Sequence, residues 1–176
     1  SKLACDLNGD MTVSKTTIEN SKTRASKTSD QTVNTTGSGV ITFNDDSTTP
    51  NEDSNNNYNT STYDYTVPTT GRYTFTVSLI IGDYTLLGGL TSLPITVKIL
   101  ENDYFEKARA TQTINPQSGQ QTIEYTLTAL LNAGDDIRVY YDWVRPLSVG
   151  FDIKTGSYFK VQRSSQLEEN DNFALN

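Results

Sequence analysis

RYTFTVSL, Arg72 to Leu79, alternates without a break. Tyr73, Phe75, Val77 and Leu79 point one way, and Arg72, Thr74, Thr76 and Ser78 the other. That two-residue period is the mark of a β-strand with one face buried. The stretch is entered through Val67-Pro68 and Thr69-Thr70-Gly71, a strand closing into a turn. The same period returns at Ile95, Val97 and Ile99, at Ile123, Tyr125, Leu127 and Ala129, and at Ile137, Val139 and Tyr141.

Turn residues separate these sets: Glu101-Asn102-Asp103, Ile114 to Gln120 with Asn-Pro and Ser-Gly, Asn132 to Asp135, and Lys154-Thr155-Gly156. Phe105 to Thr113 reads as a return strand. Gly150 to Ile153 and Ser157 to Val161 supply the last strands. Upstream, Val40 to Phe43 and Thr62 to Val67 read as strands around a long polar loop, Asn44 to Thr60. About ten short strands with frequent turns and no helical period predict an all-β sandwich or barrel. Two-residue links between partners are scarce, which favours a jelly-roll or Greek-key arrangement over a meander. The division expected is an extended arm or stalk end over 1–38, a jelly-roll domain over 39–163, and an acidic tail over 164–176. The polar arm also suits an edge strand. The glycine-rich, apolar stretch Gly82–Leu93 is read as an insertion. It either docks a partner through Tyr84, Leu86, Leu87 and Leu90 or folds back over the sandwich.

Composition narrows the functions. The chain has 176 residues, 34 % of them apolar, a net charge of −7, one cysteine and no histidine. An acidic surface repels phosphate backbones, so nucleic acid is not an expected partner. No apolar run approaches the ~20 residues that span a bilayer, so membrane insertion by a helix is not expected. Cys5 has no intrachain partner, which rules out a disulfide-stapled scaffold. Without histidine there is no imidazole base or His-metal site, and one thiol cannot build a thiolate zinc cluster. Adjacent carboxylates such as Asp135-Asp136 point to opposite faces of a strand, so they make poor acid–base pairs. The expectation is a protein that is not an enzyme.

Four pieces in fixed order resemble the C1q-like and tumour-necrosis-factor-like jelly-roll domains. They are ITFNDD…NNNYNTST (Ile41–Thr62), YDYTVPTTGRYTFTVSL (Tyr63–Leu79), LTALLNAGDDIRVYY (Leu127–Tyr141) and GSYFKVQ (Gly156–Gln162). The resemblance implies a homotrimer around a shared apolar axis. The collagen-like stalk of the animal complement proteins is absent. The region before Gly39 instead resembles the β stalks ahead of bacteriophage fibre tips. On that resemblance the localisation is the virion, and the role is a structural or host-receptor-binding module of a fibre or appendage. The partner would be a host surface glycan or protein. The alternative is a carbohydrate-binding module of a secreted bacterial protein, placed outside the cell or on its surface.

Two groups are candidate sites. Tyr58, Tyr63, Tyr140, Trp143 and Arg145 offer rings and a guanidinium for stacking on sugars. Asp45, Asp46, Glu52 and Asp53 offer hard oxygen ligands for calcium, although their spacing is not that of an EF-hand. Both readings compete with plain structural roles: rings as core or trimer-axis packing, and Asn/Asp as turn formers. No cofactor other than calcium is suggested.

Overall fold

The structure, a computed structural model, describes residues 2–5, 11–14, 22–85, 89–144 and 149–164. Strands β1 (Lys2–Cys5) and β2 (Met11–Ser14) pair as a separate two-stranded sheet. Next come β3 (Lys22–Ser26), β4 (Gln31–Val33), β5 (Gly37–Val40), β6 (Glu52–Asp53), β7 (Tyr58–Asn59) and β8 (Asp64–Thr66). The long strands follow: β9 (Gly71–Thr85), β10 (Leu93–Glu101), β11 (Phe105–Ile114), β12 (Gln121–Leu131) and β13 (Asp136–Trp143). β14 (Gly150–Ile153) and β15 (Tyr158–Arg163) end the fold. Among the described residues no helix is long and apolar enough to cross a membrane.

Two antiparallel sheets face each other. The six-stranded sheet runs β11-β10-β13-β8-β7, with β5 also on β13. The seven-stranded sheet centres on β9, which holds β12 along one side and β15 and then β14 along the other; β3, β6 and β4 lie outside these. Non-sequential pairs, β9 with β12 and β10 with β13, give the crossed connections of a jelly roll.

The alternation read from the sequence is the alternation of burial. Tyr73, Phe75, Val77 and Leu79 are fully buried and meet Ile95, Val97 and Ile99 of the opposite sheet across the core. Phe159 packs between Phe43 and Tyr58, with ring centroids 5.1 and 5.0 Å away. Truncating one of these rings to alanine removes about 3–5 kcal/mol of burial and packing.

Several boundaries differ from expectation. The sheets hold six and seven strands, more than the ten or so read from the sequence. The sandwich begins at Lys22, not Gly39: β3 pairs with β15, β4 with β14, and β5 with β13. The inward positions of β3 are Thr23 and Ala25, both buried. Small residues there fill space between larger neighbours but leave no hydrophobic period to read. The strand expected at Val40–Phe43 ends at Val40, although Ile41 and Phe43 still turn into the core. The polar loop from Asn44 is stitched to the sheet edges: Ser26 bridges Asp45, β6 pairs with β3, and β7 pairs with β8. The apparent insertion begins as strand. β9 runs on to Thr85, and Tyr84 and Leu90 pack against the core, while Leu86 and Leu87 lie outside the described residues.

Candidate functional site

The expected aromatic platform is taken apart by the fold. Trp143 is 3 % exposed. Its indole N–H donates to the Thr35 carbonyl at 2.8 Å, and its ring meets Phe151 edge-on at 4.8 Å. Tyr58 is buried too, and its hydroxyl donates to the Phe43 carbonyl at 2.7 Å. Burial pushes that hydroxyl's pKa far up, so it stays neutral. Tyr58 lies beside Tyr65, which pairs with Ile137 at the start of β13. Trp143 is six residues further along that strand, about 20 Å at the usual rise. Tyr63, at φ 62°, is half-buried against the core. The Tyr140 hydroxyl donates to Asp103 at 2.8 Å, and burial first, then that carboxylate, raise its pKa. Arg145 lies outside the described residues. No exposed indole face remains for a sugar.

The acidic loop does not converge either. Asp45 Oδ1 accepts the amides of Ser47 and Thr48, each at 3.1 Å, and Oδ2 accepts Asn51 at 3.1 Å. Burial pulls its pKa upward, but these donors outweigh that and hold it below the usual value. Asp53 accepts Thr23 Oγ1 at 2.9 Å and the Tyr58 amide at 2.7 Å. Asp46 borders a different hollow, with Asn56 and Asn59, and Glu52 faces the outside of β3. Asp45 and Asp53 are thus turn and strand anchors. The calcium reading loses its geometry with them.

Among the described residues the carboxylates that do converge are Asp30, Asp83 and Asp152. The chain supplies its own cation there. Lys154 Nζ contacts Asp30, lies 2.5 Å from Asp83 and 4.0 Å from Asp152. The Lys154 contact first, and the Thr155 amide second, lower the Asp30 pKa to about 2. The cluster reads as a clasp between the β14–β15 turn, β9 and the loop before β4.

Sequence reasoning missed the basic side chains on β3 and β15. Lys22, Arg24 and Lys160 line one surface cleft of about 410 Å³, with Glu52 and Pro50 on its rim. Arg24 lies over the Tyr158 ring at 4.1 Å and donates to Asn51 Oδ1 at 2.9 Å. Asn51 in turn donates to Ser26 and Asp45. The signal was present as Lys22-Thr23-Arg24, two cations at strand spacing, but its partner lies far along the chain.

The outward sheet faces also differ. The six-stranded face is laced with ion pairs: Lys98–Asp142, Lys107–Glu101, and Arg138 with both Asp64 and Asp103. The middle of the seven-stranded face is a hydroxyl strip of Thr74, Thr76 and Ser78 beside Thr126 and Thr128, bordered by Glu124 opposite Ser78 and Lys160 opposite Thr76. No ion pair among the described residues crosses it. Tyr104 and Phe105, 86 and 63 % exposed, stand where β10 turns into β11 on the six-stranded sheet, and Leu130, 65 % exposed, stands near the end of β12 on the seven-stranded one.

No protein-family model matches the chain, and no curated protein matches it in sequence. Solved structures do resemble it. The globular domain of zebrafish complement 1qA protein matches with a TM-score of 0.51 and 14 % identity, over 84 % of this chain and 98 % of that one. The Eiger TNF of S. frugiperda gives 0.53 and 13 %, over 86 % and 96 %. Murine APRIL gives 0.55 and 11 %, over 83 % and 100 %. At these identities the likeness is one of fold: the chain is a jelly-roll sandwich of the C1q/TNF type.

Proposed function

We propose that this chain is a homotrimeric module of a virion appendage, structural or host-recognising, which works by assembly and binding and not by catalysis. The observation that carries the trimer is the unequal finish of the two faces. One is closed by its own ion pairs. The other carries short hydroxyl side chains along β9 and β12 that a second copy can approach closely, with Glu124 opposite Ser78 and Lys160 opposite Thr76 at the margins of the strip. Leu130, exposed on β12 with the parity of Thr126 and Thr128, supplies apolar area of the kind that interface cores use. The resemblance to C1q- and TNF-type domains supports the same stoichiometry.

Placement on a virion rests on composition: abundant Asn, Thr and Ser, and one cysteine. Antibody raised against the chain should decorate particle appendages in electron micrographs; label confined to cell envelopes would reassign it to a cell surface. The trimer is tested by light scattering, which should report three chains per particle. A folded monomer at micromolar concentration defeats the reading. Leu130→Asp should weaken the assembly while circular dichroism stays that of a β protein.

A further inference from the structure

Several basic side chains of this acidic protein are in no ion pair among the described residues; Lys27, Arg72 and Arg163 lie apart, but three others are gathered together. Lys98, Lys107, Arg109, Arg138 and Lys154 are each ion-paired. Lys22, Arg24 and Lys160 are in no ion pair among the described residues, and all three line the cleft over β3, β15 and β6. The register explains the gathering: Lys160 is the cross-strand partner of Arg24, and Lys22 lies two residues before Arg24, on the same outward face. Like charges set side by side repel unless something offsets them. Glu52, opposite Arg24 on β6, is the only carboxylate among the cleft's described lining residues, one anion against three cations.

We propose that this cleft binds an anionic saccharide, with Lys22, Arg24 and Lys160 taking its carboxylate or sulfate groups. Arg24 is the organised member. Its plane is fixed by the Tyr158 ring below and by Asn51 at its edge, and Asn51 is fixed by Ser26 and Asp45. A guanidinium held this way keeps further N–H donors for an anion and loses little freedom on binding. Lys22 and Lys160 are exposed, mobile point charges that add attraction from either side. Size argues for a sugar over a bare ion, since about 410 Å³ falls within the range of small-molecule sites. Chemistry agrees, because Glu52 and the Gln162 amide give acceptors and donors for ring hydroxyls. Three cations are too few to hold a nucleic acid against a net charge of −7.

The test is calorimetric titration of the intact chain at low salt with three tetrasaccharides: oligogalacturonate, a heparin fragment and uncharged chitotetraose. Either anionic sugar should bind at least tenfold tighter than the neutral one, and raising the salt should weaken it. Which of the two binds better separates a carboxylate source from a sulfate source. The double variant Lys22→Ala/Lys160→Ala should lose tenfold or more, and Arg24→Gln about fivefold. Lys107→Ala, on the opposite sheet, should change nothing. No binding at millimolar sugar, equal binding of the neutral sugar, or an unaltered double variant each overturns the proposal. The two lysines are exposed, so their loss does not threaten folding. The cleft adjoins the hydroxyl strip, since Lys160 is the cross-strand partner of Thr76, so light scattering is run on the same samples: binding lost at unchanged mass belongs to the cleft, whereas a mass that falls with the double variant would assign the lysines to the assembly and overturn the proposal.

Discussion

The two sheets use their charges in opposite ways. On the six-stranded sheet each cation meets a carboxylate: Lys98 with Asp142, Arg138 with Asp64 and Asp103. On the seven-stranded side most cations are in no ion pair among the described residues, and three are held by neutral groups. Arg24 has a ring and an amide, Arg163 donates to the Thr70 carbonyl at 2.9 Å, and Lys27 is held by Gln31 and Thr42. Lys154 is the exception, at the far end of β9. A surface that neutralises itself has little to offer a partner. One whose charges are positioned but not neutralised keeps its electrostatic attraction for something outside the chain.

The sharpest way to break this contrast is Thr76→Arg, which puts a long cation into the hydroxyl strip. The trimer should be lost outright, the scattered mass falling to one chain, with the β spectrum retained. An unchanged mass would move the assembly face elsewhere.

The next largest effect belongs to Lys27, 2 % exposed with Nζ 2.9 Å from the Thr42 carbonyl and 2.7 Å from Thr42 Oγ1. Burial lowers its pKa from the ordinary 10.5 to about 8, against the smaller upward pull of Asp30. A folded-state pKa below the unfolded one means that folding favours the neutral amine. Stability therefore stays level below pH 8 and rises as the pH climbs towards 10.5. From pH 7.5 to 9.5 the gain is about 2 kcal/mol, at ~1.36 kcal/mol per pKa unit. Urea melts across that range should show the slope, and Lys27→Met should flatten it. A wild-type slope of zero would mean that the ammonium is solvated.

On the opposite face Arg138→Ala removes paired charge-assisted contacts to Asp64 and Asp103. It should cost about 1–2 kcal/mol in the same melts and leave the scattered mass untouched. Lys98→Ala, cutting one partly exposed pair, should cost no more than about 0.5 kcal/mol, less in high salt. If Lys98→Ala outweighed Arg138→Ala, the six-stranded face would not be the self-sufficient one.

Large apolar residues made most of the sandwich legible. Arg72–Leu79, Ile95–Ile99, Ile123–Ala129 and Ile137–Tyr141 announce their buried faces because Tyr, Phe, Ile and Leu leave a clear period. β3 does not, because Thr23 and Ala25 are small residues at its buried positions, and β4 does not, because it is three residues long with Val33 alone buried. The aromatic site failed for a reason the sequence contained: Trp143 has the parity of Ile137 and Val139, so it had to point inward. Asp45 and Asp53 failed as ligands because local backbone amides claim their oxygens first. The basic cleft was out of reach, since joining Lys160 to Arg24 requires knowing that β15 lies along β3.

That last pairing has a consequence for biogenesis. β3, the first strand of the sandwich, is completed by β15, the last, and β9 also waits for it. During synthesis the seven-stranded sheet therefore stays open until Tyr158–Arg163 has cleared the ribosome. Until then the fifteen-residue β9 exposes one bare edge. Chains stalled or clipped before that point should coalesce through β9, so production of this protein depends on finishing each copy.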